Sequence, residues 1–134
     1  MPEVKAQCDA VQAKMWGLFE WAPDKQVFDK MEYWHCFIEQ YRADEKFTGD
    51  CDDFMLTAAR ALIELGLNPK QLMTAVCETE KGALHAVLVV DGHLVLDNRH
   101  TAVKQITDWP YTDPAHKWIK SMSGGEPGIW REFS

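Results

Sequence analysis

The sequence predicts an α+β fold, with helices first and an antiparallel sheet second. Three observations carry this. Apolar residues recur at helical spacing through much of the first half, short β-rich runs cut by Gly-containing turns fill the second, and no repeat or linker divides the chain. At 134 residues and 46% hydrophobic, the chain can bury one core of its own, so residues 1–134 are expected to form a single domain.

Each element follows from its pattern. Val4, Cys8, Val11, Met15 and Leu18 share one helical face over residues 3–19, and Ala22-Pro23 closes that segment. Residues 25–47 are rich in aromatics and short of Gly and Pro, which predicts a second helical segment leading into a loop. From Cys51, the residues Phe54, Met55, Ala58, Ala59, Leu62 and Ile63 form one apolar stripe, with Gly66 as the C′ residue and Pro69 beyond it. The period then changes. Leu72–Thr79, Ala83–Val90 and His93–Asn98 read as an antiparallel meander, and ALHAVLVV and LVL are apolar on both faces, so the sheet should be covered on both sides. A polar segment at 99–107 precedes a last hairpin, Lys117–Met122 with Ile129–Phe133.

The charge of −7 and pI near 5.1 argue against a nucleic-acid partner, which calls for clustered Lys and Arg. No run approaches the roughly 20 apolar residues of a membrane span, and MPEVKAQCDA lacks the basic-then-apolar order of a signal peptide. The expectation is a cytoplasmic monomer with no membrane partner. Four cysteines, none in a C-x-x-C pair, and five scattered histidines make disulfides and a structural zinc site poor readings.

The stretch GDCDDF at 49–54 sets a thiol at a helix start. There the unpaired N–H groups and the helix dipole favour thiolate. Cysteine is also among the most buried residue types, and Cys51 is in phase with the apolar stripe, so a packed side chain competes with a nucleophile. Asp50 suits the N-cap, while its charge would oppose thiolate formation.

A nucleophile would need a cationic partner, and His85 alone lies within an apolar strand; His35, His93, His100 and His116 read as surface or loop residues. Asp97, in LVLDN, is a carboxylate at the end of an otherwise apolar strand that an imidazole could satisfy. A two-residue Asp91-Gly92 loop would send Asp97 to the opposite face. A three-residue Val90-Asp91-Gly92 loop, with Gly92 left-handed, sets His85 directly opposite Asp97. The longer loop or an equivalent bulge is predicted.

Together, GDCDDF, LGLNPKQL, GALHAVLVV and LVLDN, with EYW at 32–34 and PGIW at 127–130, resemble the bacterial transglutaminase-like cysteine peptidase family, a branch of the papain-like superfamily. The resemblance runs from about residue 27 to 130. It implies a papain/transglutaminase-like core, a nucleophile helix packed on an antiparallel sheet, and a catalytic triad of Cys51, His85 and Asp97. In that triad His85 takes the thiol proton, Asp97 orients the imidazole, and Cys51 attacks an amide to form a thioester. Trp34 is a candidate oxyanion donor beside the Cys51 backbone N–H. The core chemistry requires no cofactor, but some relatives bind calcium through acids beside the nucleophile, and Asp50 and Asp52 match them.

The implied function is a thiol hydrolase cleaving a peptide or isopeptide amide in a protein or peptide substrate. A peptidoglycan amidase, an amine-accepting transglutaminase, or a non-catalytic interaction module using Trp109, Trp118 or Trp130 are the alternatives. A chain this short would suit a phage as well as a bacterial genome.

Overall fold

The computed structural model describes residues 2–21, 36–126 and 129–132. Helix α1 (Pro2–Leu18) buries Cys8, Val11 and Met15, with Val4 and Leu18 packed at the margin of the same core. The chain passes from α1 directly into β1 (Phe19–Trp21). Of residues 25–47, expected to form a helical segment leading into a loop, the described part holds the short α2 (Ile38–Arg42), and Phe47 begins a strand, β2 (Phe47–Gly49). β2 pairs parallel with β1, so Phe47 lies beside Phe19, at 5.8 Å between ring centroids, and stacks on Phe37 at 4.9 Å. Within the described part of the aromatic run, Phe47 thus serves a small sheet and Phe37 its cover.

Helix α3 (Cys51–Glu64) starts where GDCDDF predicts. Asp50 is the N-cap, and its Oδ1 accepts from the Asp52 and Asp53 backbone N–H groups at 3.1 and 3.2 Å. Asp53 returns the bond by accepting from the Asp50 N–H at 3.1 Å, which satisfies donors the helix would otherwise leave unpaired. This reciprocal cap explains Gly49. A Cβ there would lie 2.6 Å from Asp53 Oδ2 and 2.9 Å from its Cβ, so a side chain would push Asp53 out of the cap. The helix ends in a Schellman turn: Gly66, at φ +105°, donates to the Ile63 carbonyl, and Leu67 donates to that of Leu62.

After a 3₁₀ turn at Pro69–Gln71, six strands form an antiparallel sheet: β3 (Leu72–Glu78), β4 (Leu84–Val90), β5 (Leu94–Leu96), β6 (Lys104–Gln105), β7 (Lys117–Ser123) and β8 (Arg131–Glu132). Their order is β6-β5-β4-β3-β7-β8. The polar segment at 99–107 therefore contains an edge strand, β6, held by β5. Helices α1 and α3 cover one face, packing Phe54, Met55 and Leu62 with Leu88, Val90 and Leu96. Each such fully buried side chain contributes about 1.5–3 kcal/mol. Ala75, Val87, Val89 and Val95 form a second cluster with Tyr111, against which Trp118 packs, so apolar side chains occupy both faces as the patterns required.

The β4–β5 hairpin departs from the expected pairing. Asp91 (φ 53°) and Gly92 (φ 76°) are both left-handed, and the His93 N–H closes the turn on the Val90 carbonyl at 3.1 Å. Val90 pairs with Leu94, so the loop is Asp91-Gly92-His93 rather than Val90-Asp91-Gly92. A turn with two positive φ angles suits Asp-Gly but not a β-branched valine, which stays in the strand. Continuing this register sets Asp97 opposite Val87, two places from the expected His85. Because the shift is even, Asp97 and His85 keep the same face.

Candidate active site

Cys51 is the first residue of α3 and only 4% exposed, and its Sγ faces the Ala86 backbone N–H on β4. Burial, then the charge of Asp52, pushes its thiol pKa up, outweighing the lowering by the Ala86 N–H. The helix-start argument for a thiolate is therefore overridden in the resting molecule: depth and acidic neighbours win over the dipole. Asp52 Oδ1 lies 3.9 Å from Sγ, and burial followed by the Asp50 and Asp53 charges raises the Asp52 carboxyl to about 7.

His85, on β4, is 8% exposed, and its Nε2 lies 2.8 Å from Asp97 Oδ1. With Asp97 ionised, Nε2 carries the ring proton and Nδ1 is left as the basic nitrogen. Asp97 is 1% exposed and heavily partnered. Arg99 donates its backbone N–H to Oδ1 at 2.9 Å, and its Nη2 and Nε to Oδ2 at 2.9 and 3.1 Å. The Tyr111 hydroxyl donates to Oδ2 at 2.7 Å. Burial alone would raise this carboxyl, but the bonds and charges of His85 and then Arg99 hold it well below the usual carboxylate range. Arg99 also donates to Glu80 Oε1 at 3.1 Å, completing a chain from the cleft lip to Asp97.

Behind this chain lies Gln12 of α1, fully buried. Its side-chain amide donates to the carbonyls of Asp97 and His100 at 3.0 and 2.6 Å, clamping the segment that carries Asp97 and Arg99. Sequence reasoning missed Arg99, Tyr111, Gln12 and Glu80. Only Arg99 had a local signal: it follows Asp97 by two places, where an aspartate side chain commonly captures a backbone N–H. His116, read as a loop histidine, is 8% exposed and sits edge-on to Tyr111 and Trp118, with ring centroids 5.4 and 4.7 Å away.

Cys51 and His85 open onto one cleft of about 570 Å³, whose walls include Trp21, Leu84, Arg99 and Trp109. Trp34, the expected oxyanion donor, lies outside the described residues. The four cysteines are free; Cys36 is exposed and the other three are buried.

Residues 2–134 match the family described as bacterial transglutaminase-like cysteine proteinase, BTLCP. The chain belongs to this family. Its fold is correspondingly transglutaminase-like, and solved structures of Legionella pneumophila LapG share it. One aligns with a TM-score of 0.68 at 21% identity, over 90% of this chain and 65% of LapG. A calcium-bound form aligns at 0.67 and 21% identity, with the same 90% and 65% coverage. An EGTA-treated form aligns at 0.70 and 20% identity, over 98% of this chain and 68% of LapG. The chain thus spans about two thirds of the length of LapG. No curated protein sequence was matched. Among the described residues no helix is long and apolar enough to cross a membrane.

For this family member, Asp50 and Asp52 offer hard oxygen donors, as calcium prefers. Asp50 Oδ1 is already taken by two backbone N–H groups, and among the described residues no three His, Cys, Asp or Glu side chains converge into a metal cage. Calcium takes six to eight oxygens, so these two residues alone do not fit it, and no chemical step is assigned to a metal.

Proposed function

We propose that this chain is a thiol hydrolase that cuts a peptide or isopeptide amide in a protein substrate, with Cys51 as nucleophile, His85 as general base and Asp97 as its orienting carboxylate. One observation carries the reading: the 2.8 Å His85–Asp97 bond leaves the basic imidazole nitrogen of a residue that lines the same cleft as Cys51.

Because Cys51 rests as a neutral thiol, its proton leaves as attack begins. His85 Nδ1 takes the S–H proton while Sγ bonds to the amide carbon, whose oxygen becomes an oxyanion. The Asp97 carboxylate balances the imidazolium through the Nε2 proton. The backbone N–H of Cys51, at the positive end of α3, then stabilises the oxyanion. Collapse breaks the C–N bond, and the leaving amine takes the proton from His85 Nδ1. Water, deprotonated by the same nitrogen, then splits the thioester, releasing a carboxylic acid and restoring the thiol.

The test is a proteome extract incubated with wild type, Cys51→Ala or His85→Ala, with new protein N-termini read by mass spectrometry. Intact-mass analysis of the wild-type chain should also capture the acyl-enzyme during turnover. New termini made equally by wild type and Cys51→Ala would overturn the assignment.

A further inference from the structure

The cleft beside Cys51 carries an exposed apolar lining that the chemistry itself does not use. Trp21 at the end of β1, Leu84 at the start of β4 and Trp109 are 60%, 56% and 61% exposed, and all three line this one concavity. Large apolar side chains scattered singly over a surface carry no message, but several converging on a cleft with a nucleophile mark a binding wall. The Trp109 indole makes one long bond on its own loop, its Nε1–H donating to Asp113 Oδ2 at 3.4 Å. Of the charged groups on this lining, Lys81 is exposed, while Arg99 and Glu80 are already spent. Arg99 is committed to Asp97 and Glu80, and Glu80 to Arg99, so neither is left to choose a charged substrate side chain.

We infer that Trp21, Leu84 and Trp109 form a specificity wall that grips a bulky apolar side chain, aromatic or branched, within two residues of the amide attacked by Cys51. The inference rests on the thiol-hydrolase reading for which bond is cut, while the wall's preference can be measured without cutting. A substrate acyl group has to lie in this cleft to reach Sγ, so its flanking side chains meet the two indoles and Leu84, with Lys81 as the one charged lining residue not engaged by Asp97 or by the Arg99–Glu80 pair. Burying one such side chain between them removes apolar surface from water on both partners.

The experiment uses an equimolar library of unmodified peptides varied at every position. Wild type is incubated with it and cleavage sites are read by mass spectrometry; in parallel, the library is passed over immobilised Cys51→Ala. Bulky apolar residues should be enriched beside the cut bond and among retained peptides. Trp21→Ala and Trp109→Ala should each weaken the preference by about tenfold. Both positions are exposed, and circular dichroism checks that each variant is folded. Cleavage with no apolar preference, or a preference unchanged in both tryptophan variants, overturns the wall and leaves the hydrolase standing. Apolar retention by Cys51→Ala, lost in the tryptophan double variant and accompanied by no wild-type cleavage, supports the wall and overturns the hydrolase. No preference in either arm overturns the wall.

Discussion

Replacing Gln12 by Met keeps the volume and reach of the side chain while removing its amide. Two hydrogen bonds go, those to the carbonyls of Asp97 and His100. At about 1 kcal/mol each the net loss is about 2 kcal/mol; the cost of leaving buried carbonyls short of a donor is partly offset because Gln12 Oε1 itself has no partner. With an unfolding entropy of about 2.1 cal/mol/K per residue over 134 residues, each kcal/mol moves the melting temperature by roughly 3.5 °C. A fall of about 7 °C is therefore expected by differential scanning calorimetry. If the clamp also positions Asp97, kcat on a cleaved peptide should fall about ten- to a hundredfold with KM unchanged, since small misplacements of catalytic groups cost that much. A melting temperature within about 1 °C of wild type would refute the clamp. The expected melting loss with unchanged kcat would refute the positioning role alone.

Asp97→Asn should cost about 3 kcal/mol in urea unfolding at pH 7, because it breaks a buried pair and leaves Arg99 with Glu80 alone to balance it. The Asp97 carboxyl is depressed in the fold, so its stabilisation is complete above its unfolded pKa of about 3.9 and is lost as pH falls toward the folded value. The gap between wild type and variant should accordingly narrow below about pH 4, and a gap that widens there would contradict the assignment. With iodoacetamide at pH 7.5, Cys36 should be labelled first, since it is exposed while burial pushes Cys8 and Cys77 up to about 12 and Cys51 also upward. Peptide mapping showing Cys51 labelled fastest would mean the free thiol is already activated. For calcium, Asp50 and Asp52 alone predict a melting shift below about 1 °C between millimolar calcium and EGTA; a larger shift, abolished in Asp52→Asn, would establish a site completed by further oxygens.

What the sequence made legible was local. The N-cap and stripe of α3 are written in GDCDDF and the six apolar positions after it, and its stop in Gly66, because capping and amphipathicity act within a few residues. The meander was legible for the same reason, through Asp91-Gly92 and the β-branched runs. The hairpin register slipped because Val90 was assigned to the loop, although only Asp91 and Gly92 tolerate the positive φ the turn demands. β2 was missed since a three-residue strand is defined by its partner, β1, and not by its own composition. Gln12 and Tyr111 reach Asp97 from elements far along the chain, and no pattern of spacing marks them. Burial of the thiol was legible as an alternative, because Cys51 is in phase with the α3 stripe; that depth and acidic neighbours outweigh the helix dipole was not.

Asp97 has a consequence for how such chains change over time. One carboxylate holds His85, Arg99 and Tyr111, joining strand β4 to the loops beyond β5. A descendant that abandoned the proposed catalysis would still lose about 3 kcal/mol of stability by breaking that knot. Retention of His85 and Asp97 in a lineage therefore testifies to architecture as much as to chemistry. The thiol ties no such knot, so under the proposed mechanism its loss is the change that would separate a silenced copy from a working one.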